Sequence, residues 1–242
     1  MPEPTISVRL LGGFELCVDG GPVAVPPGAQ RLVAYLALRE SPVSRTSVAA
    51  TLWPDATERR AAACLRSTLY RLAKPAHTLL AGQPGTLAIA PSVDVDVVAV
   101  RKLAADLAGR THHPATATRF TALTADLLPD WTDLWVTAER DWFTQLCLRA
   151  LEMLSEQLRT RGDVFQAHEA AAAAVRRDPL RESAHRRLIE VHLADGNPAA
   201  ALHQYSAYRT RLRDELGLAP SNEINTLLQP VLPRDGHRSL IG

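Results

Sequence analysis

Ala150, Leu154, Glu156, Gly162 and Ala167 each return 34 residues later, as Ala184, Leu188, Glu190, Gly196 and Ala201. A period of that length fits one pair of antiparallel helices, and the two glycines fall where the turn inside each pair must come. Such a unit cannot bury its apolar face alone, so successive pairs must stack on one another. The C-terminal half is thereby committed to a short helical solenoid.

Breakers mark the individual helices. Gly162-Asp163, Asp178-Pro179, Gly196-Asn197 and Gly217 divide the chain into helices predicted near 137–160, 163–177, 182–195 and 198–215. Upstream, VDVDVVAVRKLAADLAG reads as one more helix and THHPATATRF as a connection. A period of 34 is that of tetratricopeptide units, whose concave side commonly serves as an interaction surface.

The N-terminal residues obey a different periodicity. In TISVRLLGGFELCVDGGPVAV, apolar residues alternate at Ile6, Val8 and Leu10 and again at Phe14, Leu16 and Val18. Asp19-Gly20-Gly21 then signals a turn, so about three short antiparallel strands are expected. From Ala29 to Glu40 the period becomes helical, with Leu32, Val33, Leu36 and Ala37 on one face. Ser44 is placed to cap a second helix that Pro54 ends, and a third helix begins near Asp55 or Thr57 and runs to Lys74, before Pro75. TLLAGQPGTLAIAP follows as a hairpin around Gly82 to Gly85. Sheet, three helices and hairpin, in that order, make a winged helix-turn-helix. The fold class expected is thus mainly α with a small antiparallel β component: a winged helix-turn-helix over 1–92, a tetratricopeptide-like all-α domain over 93–232, and a flexible tail over 233–242.

Several functions are excluded by what the chain lacks. Cys17, Cys64 and Cys147 are scattered, with no CxxC and no histidine at ligand spacing, so neither disulfides nor a metal site is expected and the thiols are read as buried and reduced. There is no GxSxG, no phosphate loop and no HExxH, and His112-His113, His185 and His192 have no carboxylate at ligand spacing. No enzyme, cofactor or metal is predicted. No apolar run reaches the roughly 18 residues of a membrane span, so the protein is expected to be cytoplasmic and away from membranes.

The formal net charge is only +1, so any surface for a polyanion must be local. It is found in ERRAAACLRSTLYRLAK, residues 58–74, with five basic residues and one acid. At 100° per residue, Ala61, Leu65, Thr68, Leu69 and Leu72 share one sector. Arg59, Arg60, Arg66, Ser67, Tyr70, Arg71 and Lys74 occupy the opposite one. A helix that is merely solvated interleaves both signs, which this face does not do. As the third helix of a helix-turn-helix it is predicted to enter the major groove of double-stranded DNA, with Arg66 and Tyr70 central. Arg66 would read guanine, while Arg59, Arg60, Arg71 and Lys74 would neutralise phosphates. Ser44, Arg45 and Thr46 would meet another phosphate through free amides and charge at the start of the second helix. The alternative is a protein-interaction adaptor with a non-reading winged helix, in which Trp131, Trp135 and Trp142 anchor a partner rather than pack in a core.

The stretches VRLLGGFELCVDGGPVAVPPGAQRLVAYLAL, VSRTSVAATLWPDATERRAAACLRSTLYRL, LLPDW, DPLRESAHRRLIEVHLADGN and ALHQYSAYRTRLRDELGLAPS resemble the Streptomyces antibiotic regulatory protein family. Its members join an OmpR-like winged helix to a bacterial transcriptional activator domain. The resemblance implies a transcriptional activator that binds direct repeats upstream of a promoter as side-by-side protomers, a homodimer on DNA. It further implies recruitment of the RNA polymerase holoenzyme, through the sigma factor and neighbouring subunits, to a gene cluster for antibiotic or other secondary-metabolite biosynthesis. One departure is the wing, AGQPG, which carries no arginine for the minor groove and leaves Gln83 as a weak contact.

Overall fold

A computed structural model describes residues 4–72, 78–109 and 117–229. The chain divides into two compact units, Met1–Ala105 with Ala115–Gln145, and Asp106–Pro114 with Leu146–Gly242.

In the first unit, β1 (Ile6–Arg9) and β2 (Glu15–Val18) pair antiparallel, Ile6 opposite Val18 and Arg9 opposite Glu15. β2 turns into β3 (Gly21–Pro22) through Asp19 and Gly20, whose φ values of 51° and 79° are both left-handed, as a tight hairpin requires. Then come α1 (Pro27–Ala37), β4 (Val43–Ser44), α2 (Arg45–Leu52) and α3 (Glu58–Leu72). The helices bury most of the residues their periodicity marks: Leu32, Val33, Leu36 and Ala37 on α1, and Ala61, Leu65, Thr68 and Leu72 on α3, where Leu69 is only half-buried. β5 (Leu80–Ala81) and β6 (Thr86–Ile89) form the wing hairpin, and β4 adds to β6 as a third strand.

The N-terminal sheet has a fourth strand. β7 (Asp94–Val95) pairs parallel with β1, giving the order β3-β2-β1-β7, before α4 (Asp96–Ala108) begins. The start of VDVDV departs from the helix expected there because Asp94 and Val95 pair with Ser7 and Val8, with Val93, Val95 and Val97 buried. The Asp96 carboxylate then accepts from the Leu10, Leu11 and Val97 amides, closing the sheet edge onto the helix start. Burial raises its pKa, and those three amides oppose the rise.

Residues 117–145 pack with these N-terminal elements. α5 (Ala117–Thr124) occupies part of the stretch read as a connection. The chain after it runs beside β1: Gly12 N donates to Asp126 O at 2.8 Å and Leu128 N to Leu10 O at 2.9 Å. Arg140, near the start of α6 (Leu134–Thr160), donates to the carbonyls of Leu127, Leu128 and Trp131 and pins this turn. Trp131 stacks on Phe14, Trp135 meets Tyr35 edge-on at 5.3 Å, and the Arg101 guanidinium lies over Trp142. Trp131 and Trp135 are thus packing residues of this unit, which weakens the reading of them as partner anchors, whereas Trp142 stays 46% exposed beneath the Arg101 guanidinium.

The second unit holds the rest of α6 with α7 (Val164–Arg177), α8 (Glu182–Ala194), α9 (Pro198–Leu216) and α10 (Asn222–Leu228). The repeat is physical as well as textual. Ala150, Ala167, Ala184 and Ala201 are all fully buried, and small residues there let helix axes approach closely. Gly162 and Gly196 both adopt left-handed φ, 81° and 71°, and the next residues but none, Asp163 and Asn197, cap the following helices. Glu156 and Glu190 both bind Arg187, joining equivalent positions of successive pairs.

The stretches DPLRE and RDELGLAPS meet in space. Arg181 pairs with Glu152 at 2.6 Å, and Glu182 accepts from Ser221 N at 2.9 Å, from the Ser221 hydroxyl and from Tyr208 OH. Burial, with the Glu182 carboxylate adding to it, pushes the Tyr208 hydroxyl up to about 12. His185 is enclosed between Pro179 O, Gln204 and the Tyr208 ring, a hydrogen-bonded core histidine. Glu182→Gln leaves one acceptor oxygen for three donors. Hydrogen exchange in α10 is expected to quicken by about tenfold, for roughly 1.5 kcal/mol of local stability. Unchanged protection of the α10 amides would show that the Arg186–Glu223 pair and the Ile224 and Leu228 side chains suffice.

Candidate nucleic-acid interface

α3 owes its position to its buried stripe. Because Ala61, Leu65, Thr68 and Leu72 face inward, the opposite side is turned to solvent, and Arg59, Arg60, Arg66, Ser67, Tyr70 and Arg71 are all exposed there, Tyr70 at 78%. Lys74 lies outside the described residues, as do His112 and His113. Glu58, in the first turn, is the one acid of the helix.

The pairing of arginines distinguishes this surface from most of the molecule, Arg149, Arg176 and Arg209 being other described arginines with no carboxylate within 4 Å. Arg9, Arg31, Arg39, Arg101, Arg159, Arg181, Arg186, Arg187, Arg211 and Arg213 each lie within 4 Å of a carboxylate. Among the described residues, Arg45, Arg59, Arg60, Arg66 and Arg71 have no such partner. Five guanidiniums left without counter-charge on two adjacent helices form a local positive field that the net charge of +1 conceals. Arg181 by contrast is paired with Glu152 at 2.6 Å.

α2 is held against the wing. Ser44 caps it by accepting from Ser47 N at 3.1 Å, as its sequence position predicts. The expectation of free amides here needs correction at Arg45, whose N–H donates to Gly85 O at 2.9 Å. The cause is the β4–β6 pairing, which carries the strand hydrogen bonds into the helix start. Arg45 and Thr46 remain exposed through their side chains.

The wing tip is shaped by glycine. At Gly82, φ is 142° and a Cβ would lie 2.7 Å from Thr86 O, so no other residue fits. Thr86 Oγ1 accepts from Gln83 N at 3.1 Å and fixes the turn, leaving the Gln83 side chain exposed. Arg45 and Arg66 both line the crevice between α3 and this wing. The geometry therefore gathers the start of α2, the centre of α3 and the wing around the two arginines. Sequence periodicity along α3 could not show this grouping, since Arg45 and Gln83 belong to other elements.

No group of three or more histidine, cysteine, aspartate or glutamate side chains among the described residues could hold a metal. Cys17 and Cys147 are buried; Cys64, on α3, is only half-buried. No described helix is long and apolar enough to cross a membrane.

Comparison with known proteins adds to this geometry. The bacterial transcriptional activator domain matches residues 94–232. The transcriptional regulatory protein EmbR of Mycobacterium tuberculosis, and that of Mycobacterium bovis, are 26% identical to this chain over 264 aligned positions, covering 98% of it and 66% of EmbR. The chain thus spans a little under two thirds of the length of these relatives. The structure of Mycobacterium tuberculosis EmbR in complex with a low affinity phosphopeptide superposes with a TM-score of 0.74 at 21% identity, over 95% of this chain and 65% of that one. The likeness is one of fold, a winged helix joined to an all-α domain.

Proposed function

Since the chain belongs to the bacterial transcriptional activator domain family, with the layout of the Streptomyces antibiotic regulatory proteins, we propose that it is a DNA-binding transcriptional activator that reads direct repeats upstream of a promoter. The observation that carries this is the set of five unpaired arginines on α2 and α3. On this reading Arg66, with Tyr70 and Ser67 beside it, contacts base edges. Arg45, Arg59, Arg60, Arg71 and Lys74 neutralise phosphates, with the Thr46 hydroxyl as an additional donor. The helical unit then serves recruitment of the RNA polymerase holoenzyme, with protomers side by side on the repeats and a biosynthetic gene cluster as the regulated target. Relatives named as transcriptional regulators support the first step; the later ones follow the family resemblance.

A salt titration of the purified protein against its own upstream intergenic DNA, with a shuffled fragment of equal length beside it, tests the reading. Five cationic side chains on phosphates predict a plot of log affinity against log salt with a slope of about −4.5 for each protomer bound. Binding should be tight on the natural fragment only. Equal weak binding to both fragments would remove sequence reading. In Arg71→Ala, affinity for both fragments should fall together and the slope should flatten by about 1. An unaltered slope would show that Arg71 touches no phosphate.

A further inference from the structure

The crevice between α2 and α3 has a volume of about 360 Å³. Ala49, Ala61 and Leu65, all buried, give it an apolar floor, and Trp53 lines it as well. Its polar lining includes Arg45 and Arg66, the two arginines shared with the wing crevice and without carboxylate partners among the described residues. Glu58 also lines it, eight residues before Arg66 on α3 and therefore about 12 Å away along the helix axis. The crevice is thus apolar in its floor, positive at one end and negative at the other.

We propose that this crevice binds a small amphipathic anion, an aromatic carboxylate whose ring lies on the alanine floor against Trp53 and whose carboxylate pairs with Arg45 and Arg66, and that the bound anion displaces DNA. Size selects the class of occupant. The volume lies at the low end of the roughly 300–1,000 Å³ of small-molecule sites, enough for one or two rings and too little for a peptide segment. Charge selects its orientation: Glu58 repels a carboxylate from one end, while two unpaired guanidiniums accept it at the other. Displacement of DNA rests on the DNA-reading role of Arg66, because a guanidinium engaged with the ligand is withdrawn from the groove. The protein would then be an activator silenced by a small acid, with effector site and DNA site sharing two side chains.

Naphthoate is the probe, titrated calorimetrically into the intact protein, with naphthylmethanol as the neutral analogue. One-site saturable binding of naphthoate is expected, with the alcohol weaker by about tenfold or more, the worth of a charge-assisted pair. Arg45→Ala should weaken naphthoate by a similar factor, and Ala62→Phe, at a half-buried crevice position, should abolish binding with an unchanged circular dichroism spectrum. Absence of saturable binding, equal binding of the alcohol, or undiminished binding by both variants overturns the site. With upstream DNA present, naphthoate should raise the apparent Kd for DNA in proportion to crevice occupancy; simultaneous binding without effect overturns the displacement. A protein that binds naphthoate yet no DNA at any salt refutes the DNA reading and leaves the anion site standing on calorimetry alone.

Discussion

Arg66→Ala is expected to abolish the preference for the natural upstream fragment over a shuffled one while leaving the winged helix folded. The two halves of that expectation rest on opposite faces of α3. Folding depends on Ala61, Leu65, Thr68 and Leu72, buried while Arg66 is exposed, and Arg66 makes no ion pair among the described residues that its loss would break. Reading depends on the outer face, where Arg66 sits between the α2 crevice and the wing crevice. A bidentate guanidinium on guanine discriminates by about 1–3 kcal/mol, so the ratio of the two affinities should shrink by roughly 5- to 150-fold for each protomer bound. Arg66→Lys is the informative companion, since it keeps the charge and loses the planar fork. It should retain the affinity for shuffled DNA and still lose preference. Competition binding checks both variants, with thermal melting as the control for folding. A mutant that discriminates as well as the parent would move base reading from Arg66 to another residue of the face.

The legibility of this molecule follows the range of the interactions that build each part. The solenoid was readable because its positions are set locally: Ala150 and Ala184 need small side chains at the same place in each pair, and Gly162 and Gly196 need the same left-handed turn. The exposed face of α3 was readable for the same reason, a helix period counted along one segment. What could not be read from one segment at a time was pairing across distance. β7 is two residues long and is a strand because Ser7 and Val8 lie beside it. The amide of Arg45 is occupied because Gly85 folds back onto it. Likewise the stretch around Trp131 sits with the N-terminal elements through Leu10, Gly12, Phe14 and Tyr35, contacts that no local pattern announces.

Arg140 shows what those distant contacts are worth, and its replacement by methionine should strongly destabilise the first unit. The side chain donates to Leu127 O at 2.8 Å, to Trp131 O at 2.6 Å and to Leu128 O, inside a turn where Leu128 itself holds φ at 44°. A left-handed leucine is a strained residue that persists only when its surroundings hold it. Methionine keeps much of the aliphatic volume and supplies no donor, leaving three carbonyls to find water around a side chain that is itself half-buried. With about 1 kcal/mol per lost bond after allowing for that partial exposure, the cost is about 3 kcal/mol. The readout can be confined to this unit, since all four tryptophans of the chain, Trp53, Trp131, Trp135 and Trp142, belong to it. Denaturant unfolding followed by tryptophan fluorescence should therefore show an early transition in Arg140→Met. Arg140→Lys, able to reach fewer of the carbonyls, should fall between mutant and parent. A midpoint for Arg140→Met equal to that of the parent would mean that the aromatic contacts of Trp131 and Trp135 hold the turn by themselves.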